Sequence, residues 1–458
     1  MSRGPLDSSL GRPLLKSSMA TPTESSPARS GTAPSQGAGS PGDHPPITRE
    51  LLLALPKTDL HLHLDGSLRL STLIELAKER DVELPSETPE GLLELVFKER
   101  YRDLPEYLHG FAYTCAVMTD AEALERVAYE LAQDNLAEGV RYIEVRFAPQ
   151  LHTRPGFDIA DVLSAVTAGL ERARKEHEAT EAVKSGAEPP FRYGIITCAM
   201  RMFTSSFSPY FAKLWDALDY WPANQVHGAA SMSLARGVVD ARDRLGLPVV
   251  GFDLAGAERG HPASDHTRAF QFAHRNFLKK TVHAGEAYGP ESIFQAITRL
   301  HADRIGHGTQ IYAADRVDTN APEREDPERY VRSLVEFVSD RRITLEVCIT
   351  SNLQTMPEMT SVKDHPFGRM VRDRLSVSVC TDNRLVSRTT VTDELWKATE
   401  AFELKPNELR NVIVYGFKRS FFPGSYAEKR KYVRGVLDYY DRLADDFGLP
   451  RPVSSRIP

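Results

Sequence analysis

The sequence is short of the features that mark several protein classes. Four cysteines, Cys115, Cys198, Cys348 and Cys380, stand far apart in 458 residues, and no CxxC pair occurs. That spacing excludes a zinc ribbon and a thioredoxin-like redox pair. The last three lie inside apolar runs, where a thiol behaves as a small hydrophobe, so reduced core cysteines are expected. No stretch approaches the roughly 20 apolar residues of a membrane span. The N-terminal residues also lack the apolar core of a secretory signal, so the expected compartment is the cytoplasm. Long runs of like charge are missing too, and a net charge of -6 supplies no basic field for nucleic acid or an anionic membrane surface. A small, uncharged or weakly charged partner fits better, and nothing in the pattern indicates an oligomeric state.

What is present falls into three parts. Residues 1–46 are rich in Ser, Pro, Gly, Ala and Thr, as in SPARSGTAPSQGAGSPGDHPP. Such a segment buries too little apolar surface to offset its ordering entropy and is expected to be a disordered tail. Residues 47–450 form the expected catalytic domain, and 451–458 a C-terminal tail. With 41% hydrophobic residues the chain can bury one large core. Eight β-like runs alternate with helical patterns: Thr58 to His63, Arg141 to Phe147, Tyr193 to Ala199, Val249 to Leu254, Lys280 to His283, Arg304 to His307, Thr344 to Ile349 and Ser376 to Cys380. Alternation of this kind builds a parallel sheet, and eight units close a (β/α)8 TIM barrel of the α/β class. Three stretches exceed the minimal unit. Glu176 to Pro190 reads as a solvated loop on the bottom face. Phe203 to Ala230 and Ile311 to Tyr330 follow strands and so belong to the top face, as a lid or a subunit contact.

Several of these runs end in chemistry. In His61-Leu62-His63 the period of two points both imidazoles to one face, as a metal requires, although two satisfied strand-end histidines would look the same. His283 and Glu286 in HAGE bring a ligand and a carboxylate to one strand-to-loop transition, where Glu286 could also be a charge at the start of the next helix. His307 lies between glycines in GHG, which permits close approach of a ligand, or it is a buried supporting histidine. Asp382, after SVSVCT, could complete a cation site or cap a turn. Histidines placed repeatedly at the carboxyl ends of strands are what a barrel needs to assemble one site. Three histidines, one aspartate and a water make a mononuclear zinc site in which the water becomes a hydroxide nucleophile near neutral pH. Glu286 is then a proton donor and His307 a base or an orienting partner. The reaction class is metal-assisted hydrolysis or hydrolytic deamination.

These motifs in this order resemble the adenosine deaminase family of the amidohydrolase superfamily, zinc-dependent TIM barrels. The likeness runs from about Leu55 to about Glu394 through PKTDLHLHLDGS, LPEYLHGF, VRYIEVRFAP, VVGFDLAGAE, TVHAGE, RIGHG, LEVCITSNLQT and CTDN. The resemblance implies that one zinc ion is bound by His61, His63, His283 and Asp382. It implies that Glu286 protonates the purine at N1 and that His307 orients the attacking hydroxide. His63, Asp65, Gly256 and Asn383 would meet the substrate, with Gly256 at purine N3 and Asp65 at the sugar hydroxyls. One departure stands out: the chain has Asn383 where many members carry a second aspartate, and an amide NH₂ can donate to purine N7 without first being protonated. The implied reaction is hydrolysis of adenosine, and of 2'-deoxyadenosine, to inosine and ammonia in purine salvage. Adenine, aminofutalosine or a catalytically silent nucleoside-binding barrel are the alternatives. The HxE and PCxxC motifs of the other zinc deaminases are absent, and the fourth strand offers no lysine for a binuclear centre.

Overall fold

The computed structural model describes residues 46–320 and 324–450. The two expected tails, Pro46 apart, lie outside them, as does a three-residue piece of the Ile311 to Tyr330 stretch. Eight strands follow in order: β1 Lys57–His63, β2 Val140–Phe147, β3 Arg192–Met200, β4 Val249–Ala255, β5 Lys279–Ala284, β6 Arg304–His307, β7 Thr344–Val347 and β8 Ser376–Val379. Each pairs in parallel with its neighbours in sequence order. A parallel bridge between Leu62 and Asp382 joins the last strand's extension to the first. There the His63 amide donates to the Asp382 carbonyl at 2.7 Å, and the Asp382 amide to the His61 carbonyl at 2.8 Å. The barrel therefore closes through the backbone of three candidate site residues. No described helix is long and apolar enough to cross a membrane.

The helices that cover the sheet start where the sequence supplies caps. Asp120 accepts from the Ala123 amide ahead of the helix Ala121–Ala137, and Asp158 with Asp161 forms a capping box ahead of Ile159–Glu178. These two helices pack closely because residue 169 is glycine: a Cβ there would stand 2.1 Å from the Glu125 carbonyl oxygen. At the barrel floor the buried Lys57 ammonium donates to the carbonyls of Leu52, Leu53 and Leu55 at 2.6, 3.1 and 2.9 Å, satisfying the end of the helix Arg49–Ala54.

Two boundaries differ from the sequence reading. The seventh strand stops at Val347, and a helix, Ile349–Thr355, starts almost at once. An apolar run such as VCI cannot by itself separate a strand end from a buried helix start. Glu176 to Pro190 is not a plain loop, since it holds the end of Ile159–Glu178 and a one-turn helix, Glu181–Lys184. In the top-face stretch from Phe203, the helix Pro209–Ala217 precedes the long helix Ala223–Leu245.

The barrel interior is ionic rather than filled mainly with branched apolar side chains. Glu144 and Arg146 of β2, Asp253 of β4, Arg304 of β6 and Glu346 of β7 all point inward and are at most 1% exposed. Arg304 donates Nε to Glu346 Oε1 at 2.6 Å, Nη1 to the Arg419 carbonyl at 2.9 Å and Nη2 to Glu144, and it lies 3.6 Å above the Phe421 ring. Arg146 bridges Asp253 at 3.0 Å and Glu346 at 2.8 Å. Burial works against both carboxylates, yet Arg146 with His283 for Asp253, and with Arg304 for Glu346, holds them well below the usual carboxylate range. Removing one partner from such a buried group leaves an uncompensated charge. The Arg304→Met variant is accordingly expected to lose about 3–5 kcal/mol of stability, read as a lower urea unfolding midpoint. A midpoint unchanged from wild type would contradict this.

Candidate active site

The carboxyl ends of β1, β5 and the segment after β8 bring four donors together. One ligand atom each from His61, His63, His283 and Asp382 lies within 4.8 Å of the others, and all four residues are buried. His61 Nε2 and His63 Nε2 stand 3.0 and 3.2 Å from His283 Nε2, and each is 3.4 Å from Asp382 Oδ1. Donors about 2.0–2.1 Å from a zinc ion at tetrahedral angles are about 3.3–3.4 Å apart, so the spacing fits such an ion.

The proton positions fit it too. His61 Nδ1 meets Glu346 Oε2 at 2.9 Å, and His283 Nδ1 meets Asp253 Oδ2 at 3.0 Å. An ionised carboxylate only accepts, so both Nδ1 atoms carry hydrogen, and in the neutral rings that a metal requires both Nε2 lone pairs face each other. Lone pairs at that separation repel unless a proton or a metal cation lies between them. Ser351 donates to Asp382 Oδ2 at 2.6 Å and leaves Oδ1 for the cluster.

Local backbone geometry aims these groups. His307 and Asp382 both adopt left-handed conformations, with φ of 64° and 61°, a state uncommon outside glycine and one that the surrounding structure must enforce. Gly306 has a different role: a Cβ would come 2.9 Å from His61 Cε1. Above the cluster opens a pocket of about 820 Å³. His63, Asp65, Gly256, His283, Glu286, His307, Asp382 and Asn383 all line it. Of the sequence candidates only His61 lies behind the wall, fully buried. Glu286 Oε2 is 3.7 Å from His307 Nε2, and burial raises the Glu286 carboxyl above its ordinary pKa. Asp65 is buried too, its Oδ1 without a partner. Asn383 Nδ2 donates to the Tyr107 hydroxyl at 2.7 Å, and its Oδ1 lies against Gly66, where a Cβ would clash at 1.8 Å. Cys198, read as a core thiol, also reaches the pocket wall, as does Cys115.

Sequence reasoning passed over several supports. Glu258 accepts from the backbone amides of Gly285, Glu286, Ala287 and Tyr288 at 2.8 to 3.1 Å and so pins the loop that carries Glu286. Asp253 and Glu346 anchor the imidazoles of His283 and His61, and Asn352 meets His307 Nδ1 at 3.1 Å. Asp253 and Glu346 could have been noticed as charges inside otherwise apolar strands; Glu258 and Asn352 sit in loop and helix positions that carry no such signal.

A closed parallel barrel with an imidazole and carboxylate cluster and a buried acid at its carboxyl end is that of a metal-assisted hydrolase. The comparisons are more specific. The family model described as adenosine deaminase matches residues 56–214 and 223–439, and the chain belongs to that family. It is therefore an enzyme, a hydrolytic deaminase that acts on purines. An adenosine deaminase of Mycobacterium sp. (strain JLS) is 37% identical over 380 residues, 82% of this chain and 93% of the relative. Among solved structures, an amidohydrolase from Burkhoderia ambifaria with bound Zn has the same fold, with a TM-score of 0.66, 20% identity, and 89% of this chain and 99% of that one covered. An arabidopsis N6-mAMP deaminase matches at a TM-score of 0.63 and 24% identity, covering 86% and 99%.

The Asp253 carboxylate sets the tautomer of His283 from behind. The Asp253→Ala variant should therefore bind zinc roughly 10–100-fold more weakly, measured by chelator competition on protein whose circular dichroism matches wild type. Equal affinity would show that the Asp253 contact does not tune the site.

Proposed function

We propose that this protein hydrolyses adenosine and 2'-deoxyadenosine to inosine and ammonia, using one zinc ion held by His61, His63, His283 and Asp382. The observation that carries the choice of a nucleoside is the pocket wall. Among the described residues its charged groups are Asp65, Glu286 and Asp382, and no lysine or arginine lines it. A phosphate there would meet acids and, among the described residues, no lysine or arginine to pair with, so a nucleotide is disfavoured. Asp65 Oδ1 has no hydrogen-bond partner and stands 3.8 Å from His63 Nδ1, so it can accept from a ligand, and a sugar hydroxyl supplies such a donor.

A zinc ion in this cluster would acidify a bound water and so supply the hydrolytic nucleophile. The chain's own groups do the rest. Burial keeps Glu286 protonated to a higher pH than an exposed glutamate, as a donor to purine N1 must be. The sign follows: the acid form is the working form, so turnover falls as pH rises through the raised pKa. Gly256, at a φ of 97°, takes a conformation that favours glycine and brings backbone rather than a side chain to the substrate. Asn383 spends one N–H on Tyr107 and keeps the second for a purine nitrogen.

Ammonia release should show kcat/KM for adenosine at least about 100-fold above those for adenine and AMP, a gap of about 2.7 kcal/mol or more in transition-state binding. A preference for AMP or adenine would sink the nucleoside assignment. In the Glu286→Gln variant, kcat should fall by about 10²–10⁴ while zinc content stays at the wild-type level. Unchanged kcat with normal zinc would remove Glu286 from the proton-donor role.

A further inference from the structure

We propose that Asn352 and His365 are positioning residues that fix His307 as the Nε2-protonated tautomer, so that His307 serves the reaction as a hydrogen-bond donor and not as a base. The Phe367 backbone N–H donates to His365 Nδ1 at 3.0 Å, and a backbone amide nitrogen only donates. His365 Nδ1 therefore holds a lone pair. Burial lowers the pKa of His365 to about 3, so the ring is neutral. Its one hydrogen then sits on Nε2, which faces Asn352 Oδ1 at 3.2 Å.

That contact orients the amide. With Oδ1 accepting from His365, Asn352 Nδ2 is the atom presented to His307 Nδ1, at 3.1 Å. The amide nitrogen donates and His307 Nδ1 accepts, so the ring hydrogen is left on Nε2. Turning the amide over would set two N–H groups head to head at His365, and moving the His365 hydrogen to Nδ1 would do the same at Phe367. His307, Asn352 and His365 are all buried, so water does not offer the lost partners, and each mismatch costs about 1–3 kcal/mol. Orientation thus passes from a backbone amide through three links to the nitrogen that faces the pocket and Glu286.

For a deaminase the consequence is a division of labour, and it rests on the function proposed above. An Nε2–H aimed at the attacking oxygen can hold it in line and stabilise charge growing on it, while no proton changes hands at His307. Glu286 remains as the proton-transfer group beside it.

The test uses the zinc-loaded full chain labelled with ¹⁵N in histidine. Two-bond ¹H–¹⁵N spectra of the wild type should show His307 protonated at Nε2 and bare at Nδ1; the opposite tautomer, or a doubly protonated ring at neutral pH, overturns the proposal whatever any variant does. Asn352→Asp is nearly isosteric but offers only acceptors. It should move the His307 hydrogen to Nδ1 and lower kcat by about 10²–10³, the effect of losing one aimed donor, with KM within about threefold and zinc content unchanged. Wild-type kcat, or an unmoved tautomer, in a folded and zinc-loaded Asn352→Asp protein would also overturn it. The spectra do not depend on the substrate. Failure of the wild type to deaminate any purine would strike the function proposed above and leave the tautomer result standing, whereas an active enzyme with the wrong tautomer would strike only the relay.

Discussion

The Arg146 guanidinium, wedged between Asp253 and Glu346 in the barrel interior, is the contact on which the site depends. It keeps two carboxylates ionised where burial alone would neutralise them, and those carboxylates take the Nδ1 hydrogens of His283 and His61. The imidazoles are thereby committed to present bare Nε2 atoms to the same point. A cluster of facing lone pairs is unfavourable alone and favourable around a cation, so the folded barrel stores a preference for metal. Arg304 extends the network by pairing with Glu346 and Glu144. An ionic core of this kind is poor value for stability compared with packed hydrocarbon; its return is the fixed protonation state of the groups above it.

The same logic recurs at each functional side chain. Glu258 holds the loop of Glu286 through four backbone amides, Ser351 selects which Asp382 oxygen faces the cluster, and the Phe367 amide reaches His307 through His365 and Asn352. In every case a donor or acceptor of fixed role decides the state of a group that could otherwise adopt two. The site is prepared before substrate arrives, which is where electrostatic catalysis draws its advantage.

The fold was largely readable in the residues because each strand is an apolar run followed by a helix of period 3.6, and the eight runs were located to within two residues at each end. The candidate site was readable for a related reason: His61, His283, His307 and Asp382 break apolar runs at strand ends, and a barrel gathers strand ends at one face. What escaped was the support. Arg146 and Glu346 belong to strands far apart in sequence, and nothing local says that their charges meet. Asn352 lies on a helix of which only the first residue, Ile349, is read from sequence as strand, and His365 follows a 3-10 turn with no motif of its own. Pairing across the barrel is a property of closure, which periodicity does not encode.

The central claim is that carboxylate-anchored imidazoles and Asp382 grip a single ion. Anomalous diffraction from crystals of the zinc-loaded protein, collected on both sides of the zinc edge, tests it directly. One peak about 2.0–2.2 Å from His61 Nε2, His63 Nε2, His283 Nε2 and an Asp382 oxygen is the predicted result. A peak that leaves any of the four donors out of reach, or a second ion of equal strength beside it, would contradict the account.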